Sequence, residues 1–219
     1  MTFHIISLFP QALDSYLNES ILKRAIEDKK IKIKFYNPRD FTKGTSYADR
    51  RVDDRPYGGG PGMVIEALPV IKAIAKAKSL ASRKGGKIKI VWFSPSGKQF
   101  DTAYAKASAQ KYTDIILVCG RHEGIDARVK KAFKVEEISV GPFVLTGGEL
   151  PAMILIDTIS RQVKGVLGDY ASLEETRVAS SDVYTRPEVV QYKGKKYRVP
   201  KVLLSGNHKL IDEWKKHTK

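Results

Sequence analysis

The sequence predicts an α/β protein built on a parallel sheet, and three observations support this prediction. Short apolar segments alternate along the chain with segments whose apolar residues recur at helical spacing, as β-α units do. Residues 114–119 are apolar almost throughout, as expected of a strand covered on both faces. That segment runs directly into Gly120-Arg-His-Glu-Gly124. Ligands of such sheets bind beyond the carboxyl ends of the strands, so this motif is a candidate pocket.

The N-terminal elements follow from apolar spacing. Residues 3–9 form a short apolar segment that predicts a strand, and apolar positions between 13 and 26 recur with helical period. Alternation over 31–35 predicts a second strand. A polar, glycine-rich segment then occupies about 39–63, and connections of that length are usually functional or disordered.

The same pattern continues to about residue 163. It predicts helices over about 68–82, 102–111, 126–133 and 150–163, and strands over 88–93, 115–119 and 137–140. Three glycine-containing segments follow predicted strands: 94–97, 120–124 and 141–149. We therefore expect these segments to meet at one edge of the sheet.

The chain divides into three regions. Residues 1–164 form the main domain, 165–183 form a linker of small and polar residues, and 184–219 form a small basic module. Within this mostly helical module we predict a strand over 202–205 and a helix over 210–217. So few residues cannot build a robust core alone, so the module packs on the main domain or on a second subunit.

Charge points to a polyanionic partner. Lys and Arg outnumber Asp and Glu by 39 to 24, a net charge of +15. The segment 184–219 carries ten Lys or Arg against three acids, interleaved with Tyr184, Tyr192, Tyr197 and Trp214. Basic side chains among aromatic rings are typical of RNA contact, and a solvated basic surface is the alternative.

Several classes of protein are disfavoured. No apolar run is long enough for a membrane span, no signal-peptide pattern begins the chain, and Cys119 is the sole cysteine. We therefore expect a cytoplasmic protein with no membrane partner, no intramolecular disulfide and no assignable metal site. Neither a dinucleotide fingerprint, a P-loop nor a nucleophile elbow is present, and His4 lies within a predicted strand, where a structural role is expected.

Four segments of the chain carry a recognisable pattern when they are taken together. They are Val52-Asp-Asp-Arg-Pro-Tyr-Gly-Gly-Gly-Pro-Gly-Met63, Leu117-Val-Cys-Gly-Arg-His-Glu-Gly-Ile-Asp126, Val144-Leu-Thr-Gly-Gly-Glu-Leu-Pro-Ala-Met153 and Tyr184-Thr-Arg-Pro187. These segments strongly resemble the bacterial tRNA (guanine-N1)-methyltransferases, the TrmD family within the SPOUT superfamily of knotted methyltransferases. Residues 203–208 add to the match, which runs from the first strand to about Trp214.

The resemblance implies methyl transfer from S-adenosylmethionine to N1 of the guanosine at tRNA position 37, next to the anticodon. It further implies a deep trefoil knot in the C-terminal part of the α/β domain, and a homodimer whose active sites lie across the interface. Assistance by Mg²⁺ is also implied, although no residue can be assigned to it. By position, the cofactor pocket would be lined by Ser94, Pro95, Gly120, Ser139, Val140, Gly141, Phe143, Leu145, Gly147 and Gly148.

Roles at the reacting base are implied in the same way. Glu123 would hold the guanine, and Arg161 would stabilise charge on O6, although an arginine ending an apolar helix can also simply snorkel. Asp53, Asp54 and Arg55 either form ion pairs in a structured loop at the interface or touch the tRNA backbone. Further candidate contacts to guanine or tRNA are His122, Arg186 and His208.

The linker departs from the family pattern. Thr176 stands where relatives carry an aspartate that acts as general base, and a hydroxyl cannot serve near neutral pH. Glu175 is the first candidate to replace it, followed by Asp182, with Glu174 and Asp169 also open. The chain also stops soon after the Trp214 helix, which leaves tRNA selectivity open. The alternatives are a non-catalytic RNA-binding relative and a knotted methyltransferase acting on another RNA site.

Overall fold

The computed structural model describes residues 1–46, 48–83, 85–168 and 182–217. The candidate bases Glu175, Glu174 and Asp169, and also Thr176, lie outside these ranges. The chain divides into two compact units, Met1–Val166 and Leu167–Lys219, and each is described by itself.

Within the described residues, the first unit is built on a five-stranded sheet in which every neighbouring pair is parallel. The strand order β2-β1-β6-β5-β7 places β6 at the centre. The prediction of a parallel α/β fold is therefore confirmed. The strands of this unit are β1 (Thr2–Ile6), β2 (Lys32–Tyr36), β3 (Asp53–Asp54), β4 (Val64–Ile65), β5 (Ile88–Gln99), β6 (Asp114–Val118) and β7 (Glu136–Ser139), of which β3 and β4 form a separate antiparallel pair.

The helices lie close to the predicted ranges, with one correction. The single helix expected over 13–26 is broken into a 3₁₀ turn (Pro10–Leu13) and two helices, because Ser20 takes a positive φ of 49° where the second begins. The helices are α1 (Asp14–Leu17), α2 (Ser20–Glu27), α3 (Ala67–Ser82), α4 (Thr102–Lys111), α5 (Arg128–Ala132) and α6 (Glu149–Arg161).

Both faces of the sheet are covered, which explains why β6 is apolar from Ile115 to Val118. Ile115 and Leu117 belong to one buried cluster, whereas Ile116 and Val118 belong to a second cluster on the opposite face. Each fully buried side chain of this kind stabilises the fold by about 1.5–3 kcal/mol. The central strand is thus firmly held, and the segment after it is fixed in space.

The second unit differs from its prediction. An antiparallel hairpin joins β8 (Val189–Tyr192) to β9 (Lys195–Arg198), and neither strand was predicted. The strand predicted over 202–205 is wrong, because α7 (Lys201–Leu204) is one helical turn. The helix predicted over 210–217 is confirmed as α8 (His208–His217), and the Trp214 ring contacts Tyr184 at 6.2 Å between centroids.

None of the helices in the described residues is long and apolar enough to cross a membrane.

Candidate active site

The carboxyl ends of β5, β6 and β7 enclose a cavity of about 310 Å³ in the first unit. All ten residues predicted to contact a cofactor line this cavity, together with His122 and Glu123. The three segments predicted to meet at the sheet edge, 94–97, 120–124 and 141–149, all contribute to it. The size lies at the lower end of the range for small-molecule sites.

Gly148 fixes one wall of the cavity against the end of β6. Its amide donates a hydrogen bond of 2.9 Å to the carbonyl oxygen of Gly120. A Cβ built on Gly148 would stand 2.5 Å from Cα of Cys119 and 3.0 Å from the Gly120 nitrogen. Only glycine permits this approach of two backbones, so the loop 141–148 lies directly on the strand end.

The start of this loop is ordered by its own hydrogen bonds. The Ser139 hydroxyl donates to the Gly141 carbonyl at 2.9 Å, and the Gly141 amide donates back to the same hydroxyl at 3.2 Å. A Cβ on Gly141 would overlap the Phe143 ring. Phe143 and Val144 line the cavity and are nevertheless 51% and 83% exposed, so this part of the cavity wall is open to solvent.

The opposite wall comes from an irregularity in β5. Its pairing with β7 shifts between Phe93 and Lys98, which lets residues 94–97 loop out beside the cavity. A Cβ on Gly97 would stand 2.6 Å from the backbone of β7 at Glu137 and Ile138. This glycine therefore allows the strand to resume pairing after the excursion that places Ser94 and Pro95.

The guanine-binding candidates lie next to this cavity. The Glu123 amide donates to the Met63 carbonyl at 3.0 Å, and a Cβ on Gly62 (φ +80°) would stand 2.6 Å from Oε1 of Glu123. His122, at a positive φ of 57°, places Nε2 3.5 Å from a carboxylate oxygen of Asp53. The glycine-rich loop after Asp53 is thus joined to the Gly120–Gly124 motif.

Arg55 is exposed, and Asp53 also pairs with Arg51 at 3.2 Å. Asp53 therefore pairs with Arg51, and with His122 when that imidazole is protonated; contact of this segment with the tRNA backbone stays a prediction.

A buried polar cluster at the same edge was not predicted. The Ser7 hydroxyl donates to Oε1 of Glu149 at 2.6 Å, and Nε of Arg121 lies 2.9 Å from Oε2 of that carboxylate as an ion pair. Glu149 is 2% exposed, and the Arg121 guanidinium lies over the Phe9 ring at 5.0 Å. Ser7 and Glu149 are 142 residues apart in the chain, so no local sequence pattern could have revealed this buried cluster.

The thiol of Cys119 is buried next to this cluster, and both features act on its pKa. Burial, reinforced by the negative charge of Glu149, raises the pKa of the Cys119 thiol well above its ordinary value. The thiol is therefore protonated at neutral pH, and we assign it a packing role.

Arg161 is the catalytic candidate that lies in the first unit, and it does not line the cavity. It is the last residue of α6, whose first residue, Glu149, is at the cavity edge. A helix of 13 residues spans roughly 18 Å at 1.5 Å per residue, so the two ends are well separated. Within one chain, Arg161 and the cavity are not brought together.

The remaining candidates belong to the second unit. Asp182, Arg186 and His208 are all exposed there. Among the residues that the structure describes, no group of three or more His, Cys, Asp or Glu side chains could hold a metal ion.

A parallel sheet with a glycine-lined cavity at its carboxyl edge defines an α/β protein that binds a small ligand. Comparison with known proteins identifies the family within this class. The family described as tRNA (guanine-1)-methyltransferase TrmD matches residues 1–219, and the chain belongs to this family.

Individual relatives agree with this assignment. The chain is 46% identical to a tRNA (guanine-N(1)-)-methyltransferase of Photobacterium profundum, over 96% of this chain and 82% of that protein. It is 43% identical to the protein of the same name from Clostridioides difficile, over 99% and 91%. The crystal structure of tRNA (m1G37) methyltransferase from Aquifex aeolicus superposes with a TM-score of 0.76 at 35% identity, covering 98% of this chain and 87% of that one.

Proposed function

We propose that this protein transfers the methyl group of S-adenosylmethionine to N1 of the guanosine at position 37 of tRNA, next to the anticodon, and so helps to maintain the reading frame. The observation that carries the proposal is the cavity at the carboxyl edge, lined by Gly120 and Gly148 beside Glu123, in a chain that belongs to the tRNA (guanine-1)-methyltransferase family. The protein would act in the cytoplasm, where tRNA is modified.

The cavity residues fit a molecule of this kind. Gly120 and Gly148 leave main-chain groups uncovered by side chains, while Val140, Leu145 and Phe143 offer apolar surface for a planar ring. When bound, S-adenosylmethionine supplies a methyl group on a positively charged sulfur. These residues would bind and orient it, with the loop 141–148 as one wall. We also propose, from the family resemblance, that the C-terminal part of the α/β domain is knotted.

Guanine N1 carries a proton and becomes a nucleophile only when that proton leaves. The N1–carbon bond forms as the sulfur–carbon bond breaks, and the N1 proton passes to a base on the protein. We propose that the Glu123 carboxylate accepts hydrogen bonds from the guanine edge. Glu175 is our first candidate for the base, followed by Asp182, Glu174 and Asp169.

Arg161 would stabilise negative charge on O6 from the partner subunit of a homodimer. Two observations support this arrangement: the distance between Arg161 and its own cavity, and the outer face of α6. Leu150 and Ile154 are 53% and 42% exposed, and helical spacing places them on the same face as Arg161. An exposed apolar stripe ending in the candidate arginine is suited to an interface between copies.

Mixing inactive variants tests this arrangement. Arg161→Ala should lower turnover by roughly 10²–10³, as removal of one group that stabilises developing charge does. Glu123→Gln should lower kcat/KM as well, because the amide replaces a carboxylate acceptor that faces the guanine N–H groups. If each site combines Glu123 of one subunit with Arg161 of the other, random mixing restores up to about one quarter of the sites, since half the dimers are mixed and each has one intact site. No recovery on mixing would overturn the cross-subunit site.

The base is tested by methyl transfer with Glu175→Gln, Glu174→Gln, Asp169→Asn and Asp182→Asn, with Asp28→Asn, after α2, as the control. We expect one variant to lose 10²–10⁴ in turnover while binding S-adenosylmethionine normally. The same assay with and without EDTA tests dependence on Mg²⁺. Binding of both substrates with no turnover by the wild type would instead favour the non-catalytic RNA-binding alternative raised by Thr176.

A further inference from the structure

The β8–β9 hairpin of the second unit is closed by a tight two-residue turn. Lys193 and Gly194 both take positive φ angles, 46° and 74°, which matches the twist of the flanking strands. The register pairs Val190 with Tyr197 and Tyr192 with Lys195. The register therefore defines on which face of the hairpin each side chain lies.

The register sorts the side chains into two chemically different faces. Successive residues of a strand point to opposite sides, and cross-strand partners share a side. Val190, Tyr192, Lys195 and Tyr197 therefore form one face, called here the aromatic face. The other, called the basic face, consists of Val189, Gln191, Lys196 and Arg198.

The aromatic face is open. Tyr192, Tyr197 and Val190 are 61%, 55% and 53% exposed, and the Lys193 ammonium lies 5.4 Å from the centre of the Tyr192 ring. An isolated two-stranded hairpin is only marginally stable in water. Two tyrosines held open on such a ribbon are therefore well placed to pack against a partner.

The charge of this segment specifies the partner's chemistry. Residues 189–211 contain six Lys or Arg and no Asp or Glu. Such a segment complements a polyanion, and tyrosine rings flanked by cations stack on unpaired bases with little dependence on sequence.

We propose that this hairpin is an RNA-binding element in which Tyr192 and Tyr197 stack on bases while Lys196 and Arg198 contact phosphates. The inference rests on the proposed function, and it names an element that grips the tRNA through two separable kinds of contact. A second copy of the chain is the competing occupant of the aromatic face.

Salt dependence separates the two faces. Binding of a tRNA transcript is measured between 50 and 200 mM salt for Tyr192→Leu/Tyr197→Leu, Tyr192→Phe/Tyr197→Phe and Lys196→Gln/Arg198→Gln. Lys76→Gln/Arg83→Gln, which removes two exposed cations in and directly after α3, is the charge-matched control.

The leucine variant should bind roughly tenfold or more weakly with an unchanged slope of log K against log salt, because base stacking is lost. The phenylalanine variant should bind within twofold of the wild type, because its rings still stack. The glutamine variant should bind more weakly and lose about 0.7–0.9 of slope for each phosphate contact removed.

Two results would overturn the proposal. One is wild-type binding and slope in every hairpin variant. The other is a change from dimer to monomer in the leucine variant, measured by light scattering, because a second copy would then cover the tyrosines. Failure of the proposed function is distinguishable: it would appear as a wild-type protein that does not methylate tRNA, whatever the hairpin variants do to RNA binding.

Discussion

Replacement of Gly148 by alanine should damage the cofactor site more than its single methyl group suggests. The new Cβ would stand 2.5 Å from Cα of Cys119, whereas ordinary carbon contacts begin near 3.4 Å. The obstacle is backbone at the end of the buried strand β6, so the loop 141–148 must shift by approaching one ångström. Overpacking of this kind costs about 1–3 kcal/mol.

Two measurements check this prediction. The melting temperature should fall by about 2–4 °C for each kcal/mol, as expected for a chain of this size. Turnover should fall by up to about 100-fold, because a 1 Å displacement of bound groups has effects of that order. Calorimetry should show weaker binding of S-adenosylmethionine. Gly168→Ala is the matched control for the melting temperature and for cofactor affinity, since no atom lies within 4 Å of its added Cβ. Wild-type affinity and turnover in Gly148→Ala would refute the proposed contact between the loop and the cofactor.

Three further predictions concern buried and charged groups. Glu149→Gln should lower stability by about 1–3 kcal/mol in denaturant titration, because Arg121 loses its buried charge partner. Cys119 should resist thiol reagents at pH 8 in the folded state, because burial raises its pKa well above 9.0. The hydrogen bond from Arg128 lowers the pKa of the Asp126 carboxyl below 3.8. The stability that this carboxylate contributes is therefore present above pH 3.8 and is lost as the pH falls through the pKa of the folded state. The difference in unfolding free energy between wild type and Asp126→Asn should shrink over that window.

Each of these three predictions has a control or a result that would contradict it. Glu137→Gln breaks a partly exposed pair with Lys130 and should cost less than about 1 kcal/mol, so an equal loss in the two variants would argue against a structural role for the buried pair. Denatured protein should label at Cys119 within minutes, and equally fast labelling of the native protein would contradict its burial. A stability difference at Asp126 that is constant down to pH 2 would show that the pair with Arg128 does not act on this carboxyl.

The parallel sheet could be predicted from sequence because its signals are local. β6 is apolar at each position from Ile115 to Val118, and glycine-containing segments directly follow β6 and β7. The family resemblance then indicated which loops form the cavity. Ten cofactor candidates line one cavity because segments 120–124 and 141–149 follow neighbouring parts of one parallel sheet and 94–97 loops out of β5 at the same edge.

Other features depended on information that local sequence does not carry. The run Val202-Leu-Leu204 is too short for periodicity to separate a strand from a helical turn. The hairpin was missed because a Lys193-Gly194 turn is a weaker signal than Asn-Gly, and because both faces are exposed, so no apolar alternation marks the strands. The cluster of Ser7, Arg121 and Glu149 joins three distant segments and becomes visible only in three dimensions.

The most direct test of the proposed function is transfer of labelled methyl from S-adenosylmethionine to a tRNA transcript with guanosine at position 37, with the modified nucleotide mapped by mass spectrometry. A transcript with adenosine at that position is the matched control. We expect a single N1-methylguanosine at position 37 and no label in the control. Absence of label from the guanosine transcript, or label at another nucleotide in both transcripts, would contradict the proposed reaction.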